Sequence, residues 1–417
     1  MYTRLIGVVL VATSVAAIAA QSSATPPWAL KVVSIPAPTS AASGQPQLST
    51  SAKGVLLSWV ERSSAAATLK FAERTPTGWT SPKVVASGDN WFVNWADVPS
   101  VIRLPNGTLV GHWLQKSGPG TYAYDVRLAY STDDGRTFSP SFLPHHDGTK
   151  TEHGFASLMP VNDGLGLVWL DGRATQNAAH DASHDGGGAM TLRYATFDSA
   201  WKQTADLLVD AKVCDCCPTT AVMTADGPLV AFRDRTNQEI RDIHVARLEN
   251  GSWTTSKAVG TDNWNINACP VNGPMLSARG RDVAISWFTA ADKQPRSFVA
   301  FSRDAGRTFG APVRIDDNGT LGRVDVDLLD DGSAVASWIE HANGVAEFRV
   351  RRIEPSGARS PAVTIATITS DRTSGYPRMA RHGKELVFAW LEADPSQPPT
   401  ARQLLLRTAV ATVPPAK

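Results

Sequence analysis

The chain has 417 residues, with 40 Lys and Arg against 39 Asp and Glu, 42% hydrophobic residues and 4 Cys. That much apolar sequence excludes a disordered chain, and a formal net charge of +1 leaves no basic face for nucleic acid as a partner. Four cysteines in so long a chain are too few for a disulfide-built scaffold, so stability has to come from packing and the cysteines ask for another explanation.

Arg4 precedes the largely apolar run from Leu5 to Ala20, and Ala17-Ile18-Ala19-Ala20-Gln21 supplies the small residues of a cleavage site. This is the layout of a signal peptide over residues 1–20, and the run is shorter than the ~20 residues of a membrane span. The expectation is a periplasmic or secreted protein with no membrane span after cleavage, its thiols facing oxidising conditions.

From there on one pattern repeats. A short apolar strand ending in an aromatic recurs at Trp59, Trp113, Trp169, Phe232, Trp287, Trp338 and Trp390, with neighbours 51 to 63 residues apart. Such a period points to propeller blades. Turns precede the copies at Asn106-Gly107, Asp163-Gly164, Asp226-Gly227, Arg279-Gly280 and Asp331-Gly332, as tight antiparallel hairpins require. Third strands follow, for example at Val126 to Tyr130 and Phe298 to Ser302, and outer strands at Pro82 to Ala86 and Pro361 to Ala366. The last copy lacks an outer strand, and Leu30 to Ile35 fits the vacancy. The predicted fold is all-β: a seven-bladed β-propeller of four-stranded antiparallel blades over residues 28–413, closed by the N-terminal strand. A six-bladed ring is the alternative if one hairpin is an insertion.

Two copies of Ser-x-Asp-x-Gly-x-Thr-aromatic, Ser131 to Phe138 and Ser302 to Phe309, lie between third and fourth strands. The Asp can accept backbone N–H groups, the Gly supports a positive φ and the aromatic packs beneath, so the motif is a structural turn. The pattern resembles the Asp-box (BNR) repeats of the sialidase-like β-propeller superfamily. The resemblance covers nearly all of the chain after residue 28 and implies a fold more than an activity, because one fold hosts many chemistries. Sialidases carry an Arg-Ile-Pro near the first blade, three arginines that clamp a carboxylate, a Tyr/Glu nucleophile pair and an Asp acid/base. Here Asp97-Val98-Pro99 stands where the Arg-Ile-Pro belongs, so the first clamp arginine is missing. Arg233 falls where a second family arginine does, and Ser374-Gly375-Tyr376 resembles the family's Tyr segment. No Glu stands opposite, since the sixth inner strand begins Arg323-Val324-Asp325.

Blade topology puts the loop approaching each inner strand on the same face as the loop between strands two and three. That face gathers Asp89 to Asp97, Glu152-His153, Cys214-Asp215-Cys216-Cys217-Pro218 and Asp262 to Pro270, and the first and last share Asp-Asn-Trp-x-x-Asn. Convergent polar groups at a concavity mark the candidate site. Asp97 and Asp171 are the carboxylates best placed for acid/base work, with Arg233 and Tyr376 as the residues the resemblance adds. Trp91 and Trp264 either stack on a sugar or cap the core, and Asn94 and Asn267 come with them as substrate contacts. Arg173 and Arg235, each near an Asp, are anion contacts or ion-paired scaffold. Cys214, Cys216, Cys217 and Cys269, with His153, are candidate ligands for copper or zinc; disulfides and a redox dithiol are the competing readings, and the matching Cys217-Pro218 and Cys269-Pro270 point to a link between Cys217 and Cys269. His180 and His184 read as a loop pair. Two functions follow: a divergent carbohydrate-active protein that binds or cleaves a glycan without an intact sialidase clamp, or a non-enzymatic metal-binding propeller.

Overall fold

A computed structural model describes residues 28–40, 42–176, 188–342, 345–394 and 403–414. The predicted signal peptide and His180 and His184 lie outside the described residues. Seven antiparallel sheets follow one another along the chain. The first blade runs Ser43–Ser51, Gly54–Arg62, Ala67–Thr75 and, outermost, Lys83–Gly88; the third runs His153–Val161, Gly164–Asp171, Thr191–Phe197 and Gln203–Asp210. The seventh is Arg378–His382, Glu385–Ala393 and Leu404–Thr412, and its outer position is filled by Val32–Ile35, with Val32 opposite Ala411 and Ile35 opposite Thr408. The N-terminal strand therefore closes the ring, as the missing strand of the last repeat predicts, and seven blades are correct.

Side chains from adjacent blades meet to form the core. Leu69 and Phe71 of the first blade pack with Val101 and Leu109 of the second, and the ring closes where Leu57 and Trp59 meet Ala389 and Leu406. Trp59, Trp169, Trp287 and Trp338, from four copies of the repeated strand, are fully buried, each contributing roughly 1.5–3 kcal/mol or more by its apolar area. Their indole N–H groups need acceptors. Residues two apart share a strand face, so Trp59 donates to Glu61 at 3.0 Å, Trp169 to Asp171 at 2.8 Å and Trp338 to Glu340 at 2.7 Å.

Blade two departs from the pattern. After Ser100–Arg103, Leu109–Lys116 and Tyr124–Ser131, its outer position holds a single bridge, Leu128 with Phe142. Pro140 and Pro144 flank that bridge and offer no N–H to a ladder. The chain instead runs on to His145 and Asp147 and meets the approach to blade three, where Tyr124 donates its N–H to Thr151 O at 3.2 Å.

Both Ser-x-Asp-x-Gly-x-Thr-aromatic turns form as their residues predict. Asp304 accepts from Thr308 N at 2.9 Å and from the Thr308 hydroxyl at 2.6 Å, while Gly306 N donates to Ser302 Oγ at 2.9 Å. Gly306 sits at φ +81°, and a Cβ there would fall 2.6 Å from the Leu229 side chain. Gly306→Ala is expected to cost about 1–3 kcal/mol in urea unfolding; an unchanged midpoint would show that the turn adapts freely.

Candidate functional site

The inner strands surround a channel of about 480 Å³ whose walls include Asp97, Ser157, Thr219, Met275 and Arg378. At the mouth, three inner strands begin with the same irregularity. Gln45, Phe155 and Arg323 all have positive φ (53°, 51° and 51°), and each lies at a register shift just after a glycine. A bulge of this kind re-aims the strand end, and in blade three it brings the Phe155 N–H to 2.8 Å from Asp97 Oδ1.

Asp97 is 1% exposed. Its loop is held by Asn94, whose Oδ1 accepts from Ala96 N at 2.9 Å, and by Gln45, whose amide donates to the Asp97 carbonyl at 3.2 Å and to that of Asn94. The other Asp97 oxygen accepts from the Tyr124 hydroxyl at 3.0 Å, and the same hydroxyl lies 2.7 Å from Glu152 Oε1. Tyr124 is buried and stacks on Phe92 at 4.1 Å, which fixes the ring. The closeness depends on Gly154, where a Cβ would fall 2.1 Å from Asp97 Oδ2. Burial pushes Glu152 up to about 8; Tyr124 offsets part of this, and the charges of Asp97, Asp215 and Cys269 add to it. Burial likewise pushes Asp97 up to about 7, against the hydrogen bonds from Phe155 and Tyr124.

A carboxyl raised in the folded state holds its proton after the unfolded chain has lost it. Stability therefore falls as pH rises from about 4 to about 7, by up to about 1.4 kcal/mol per unit. Asn can keep the Phe155 N–H on its Oδ1 and donate its NH2 to the Tyr124 oxygen without titrating, so Asp97→Asn should flatten unfolding free energy over that window relative to wild type; parallel pH curves would contradict the buried proton.

The thiols gather beside this trio. Cys214 Sγ lies 3.2 Å from Cys217 Sγ and 3.8 Å from Cys216 Sγ, and Cys269 meets Cys216 from the loop before blade five. The sulfurs of Cys214, Cys216 and Cys217 lie within 4.8 Å of one another and Cys269 adjoins Cys216, with no sulfur–sulfur bond among the four. Hydrogen bonds from Cys216 and Cys217 hold Cys214 well below the usual thiol range.

His153 is separated from the cysteines. It is fully buried, stacks on His145 at 3.9 Å and lies between Asp125 and Asp147 at 3.6 Å and 3.2 Å. Burial opposes its charge, but Asp147, Asp171 and Asp125 together raise its pKa. The ligand atoms of Asp125, His145 and His153, and those of Asp147, His153 and Asp171, lie within 4.8 Å of one another, so His153 takes part in two groups of metal-ligating donors apart from the thiols.

Most of the other expected site residues have partners within the chain. Asp171 is fully buried, accepts from the Trp169 indole, and takes Arg173 in a two-pronged pair at 2.7 Å and 2.7 Å. Despite burial, Arg173 and His153 hold its carboxyl below the ordinary range, which suits an ion pair and not a proton donor. Arg233 gives its N–H groups to the carbonyls of Asn272, Arg241 and Phe288 at 2.6–3.0 Å and lies over the Trp264 ring. Trp264, 7% exposed, is thereby covered. Arg235 pairs with Asp215 at 3.3 Å and Glu239 at 2.9 Å. Tyr376 donates to Val271 O at 2.5 Å and stacks on Trp95 at 5.8 Å. Trp91 stacks on Trp113 at 5.5 Å and bridges to Gln115, on the flank between blades one and two. Asn267 is exposed on its loop. Tyr124 carries no sequence signal; Glu152 does, as an acid at the start of an inner strand.

No protein-family model matches the chain, and neither does any curated protein sequence. Among solved structures it is similar to a polysaccharide lyase, with 10% identity and a TM-score of 0.53 over 89% of this chain and 90% of that one. It is similar also to a protein of unknown function from Dyadobacter fermentans, with 14% identity and a TM-score of 0.52 over 92% and 98%. A Streptococcus pneumoniae sialidase variant has 9% identity and a TM-score of 0.45 over 91% and 94%. At these identities the likeness is one of fold.

Proposed function

We propose that the chain is an exported, divergent carbohydrate-active propeller in which Glu152 is the proton donor at the channel mouth, backed by Tyr124 and Asp97. The observation that carries this reading is the Tyr124 hydroxyl set between two carboxyl groups, 2.7 Å from Glu152 and 3.0 Å from Asp97. A phenol has one proton to donate. It satisfies one carboxylate, and the other contact is attractive only if that carboxyl brings a proton of its own, so the trio retains an acid where lone carboxyls are ionised. Glu152 is the partly exposed member, able to meet a ligand. Protonating a departing glycosidic oxygen needs such a group.

The substrate class differs from that of sialidases. Their clamp fixes a carboxylate by bidentate pairing, whereas Arg233 is committed to three carbonyls and Asp97 occupies the place of the first clamp arginine. A neutral glycan suits this acidic mouth. The test is to incubate the purified chain with neutral and uronate-containing oligosaccharides, following new reducing ends for hydrolysis and unsaturated products for elimination, with melting temperature as the binding readout. Turnover that depends on Glu152 supports the reading; neither turnover nor stabilisation with any glycan would sink it.

A further inference from the structure

We propose that Cys214, Cys216 and Cys217, whose sulfurs lie within 4.8 Å of one another, hold one thiophilic cation, Cu(I) or Zn(II), at the channel mouth, with Cys269, beside Cys216, closing in as the fourth ligand. Two loops supply the ligands, those approaching the inner strands of blades four and five. A Zn–S bond of about 2.3 Å sets neighbouring sulfurs about 3.8 Å apart on a tetrahedron, and Cys214 and Cys216 stand at 3.8 Å. Cys217, at 3.2 Å from Cys214, needs a shift of about 0.6 Å to join them. That separation also exceeds the ~2.05 Å of a disulfide.

A second observation is independent of sulfur spacing. Arg241 is fully buried, and after two hydrogen bonds to Glu239 it aims Nη1 at Cys214 Sγ, 3.6 Å away. The guanidinium thus favours Cys214 as the thiolate, the form in which a cysteine ligates a soft ion. Burial is graded across the cluster: Cys214 and Cys217 are 0% and 2% exposed, Cys216 is half-buried and Cys269 is exposed. Soft sulfur ligands favour cuprous copper and zinc over calcium or magnesium. Neither the sulfurs nor Arg241 belongs to the Glu152 trio, so the metal site stands without the carbohydrate reading.

The full chain should be reduced, freed of metal, and titrated with Zn(II) against a chromophoric chelator and with Cu(I) against a cuprous chelator. The expected result is one equivalent of one of these ions, with affinity falling about 10- to 100-fold or more in Cys216→Ser. Co(II) in the same protein should give a thiolate charge-transfer band. Cys269→Ser, at an exposed position, guards against misfolding and should weaken binding while leaving the far-ultraviolet circular dichroism unchanged. No uptake of either ion by the folded, reduced chain would overturn the proposal. So would peptide mapping of the exported protein that finds Cys214–Cys217 and Cys216–Cys269 disulfides without metal. Glu152→Gln should keep the metal stoichiometry, so failure here and failure of the glycan reading are told apart.

Discussion

Glu152→Gln should lower glycan turnover by roughly 10²- to 10⁴-fold, the usual contribution of a positioned general acid, while glycan binding and melting temperature stay close to wild type. Gln is isosteric and can still accept from the Tyr124 hydroxyl, so the change removes a proton and little else. The pH profile adds a sharper readout. With Glu152 pushed up to about 8, its acid form persists through neutrality, and the rate should fall as pH rises through about 8. The Tyr124 hydroxyl draws that value down, so Tyr124→Phe should carry the alkaline limb to higher pH. A Glu152→Gln enzyme at wild-type rate would remove Glu152 from the reaction, and an unmoved limb in Tyr124→Phe would reduce that residue to packing.

Arg233→Met should destabilise the fold by about 3 kcal/mol or more, since three buried carbonyls lose their donor. Arg233 is 1% exposed, and its guanidinium ties the end of blade four to Asn272, before blade five, and to Phe288, within it. Met fills the volume but leaves three buried carbonyls without their donor, each costing about 1–3 kcal/mol unless the chain relaxes. Arg233→Lys should rescue little, since an ammonium cannot reproduce a planar fork. Guanidinium unfolding measures the effect as a lower midpoint at constant slope. A loss below about 1 kcal/mol would mean that water replaces the guanidinium, and Arg233 would then be available to a ligand after all.

The fold was legible because the seven aromatic strands repeat, and each turn between them has its own local chemistry. The site was legible only as a face. Asp171 looked like a free acid at a strand end, but the indole two residues earlier claims it. The Trp-x-acid spacing of Trp59 and Glu61, Trp169 and Asp171, and Trp338 and Glu340 could have exposed that role. Arg233 was equally misleading, since its partners are backbone carbonyls, which no residue identity announces. Tyr124 begins an ordinary third strand and becomes part of the mouth only because the chain from Pro140 to Thr151 breaks away from blade two and lays Glu152 beside it. The bulges at Gln45, Phe155 and Arg323 depend on how a strand end meets its neighbours, which periodicity does not record.

Pairing Val32–Ile35 with Leu404–Thr412 also has a consequence expected for folding. Six blades can form from segments adjacent in the chain, but the seventh must wait until residues more than 350 positions apart find each other. Contacts of such sequence separation are slow to form. Until they form, Leu404–Thr412 presents an unpaired edge that any passing strand can extend. The first strand of a second molecule fits that edge as well as the chain's own does, so concentrated refolding favours exchanged dimers. Ring closure thus divides the molecule's history into an interval in which Leu404–Thr412 lies open and a native state in which the short strand Val32–Ile35 covers it.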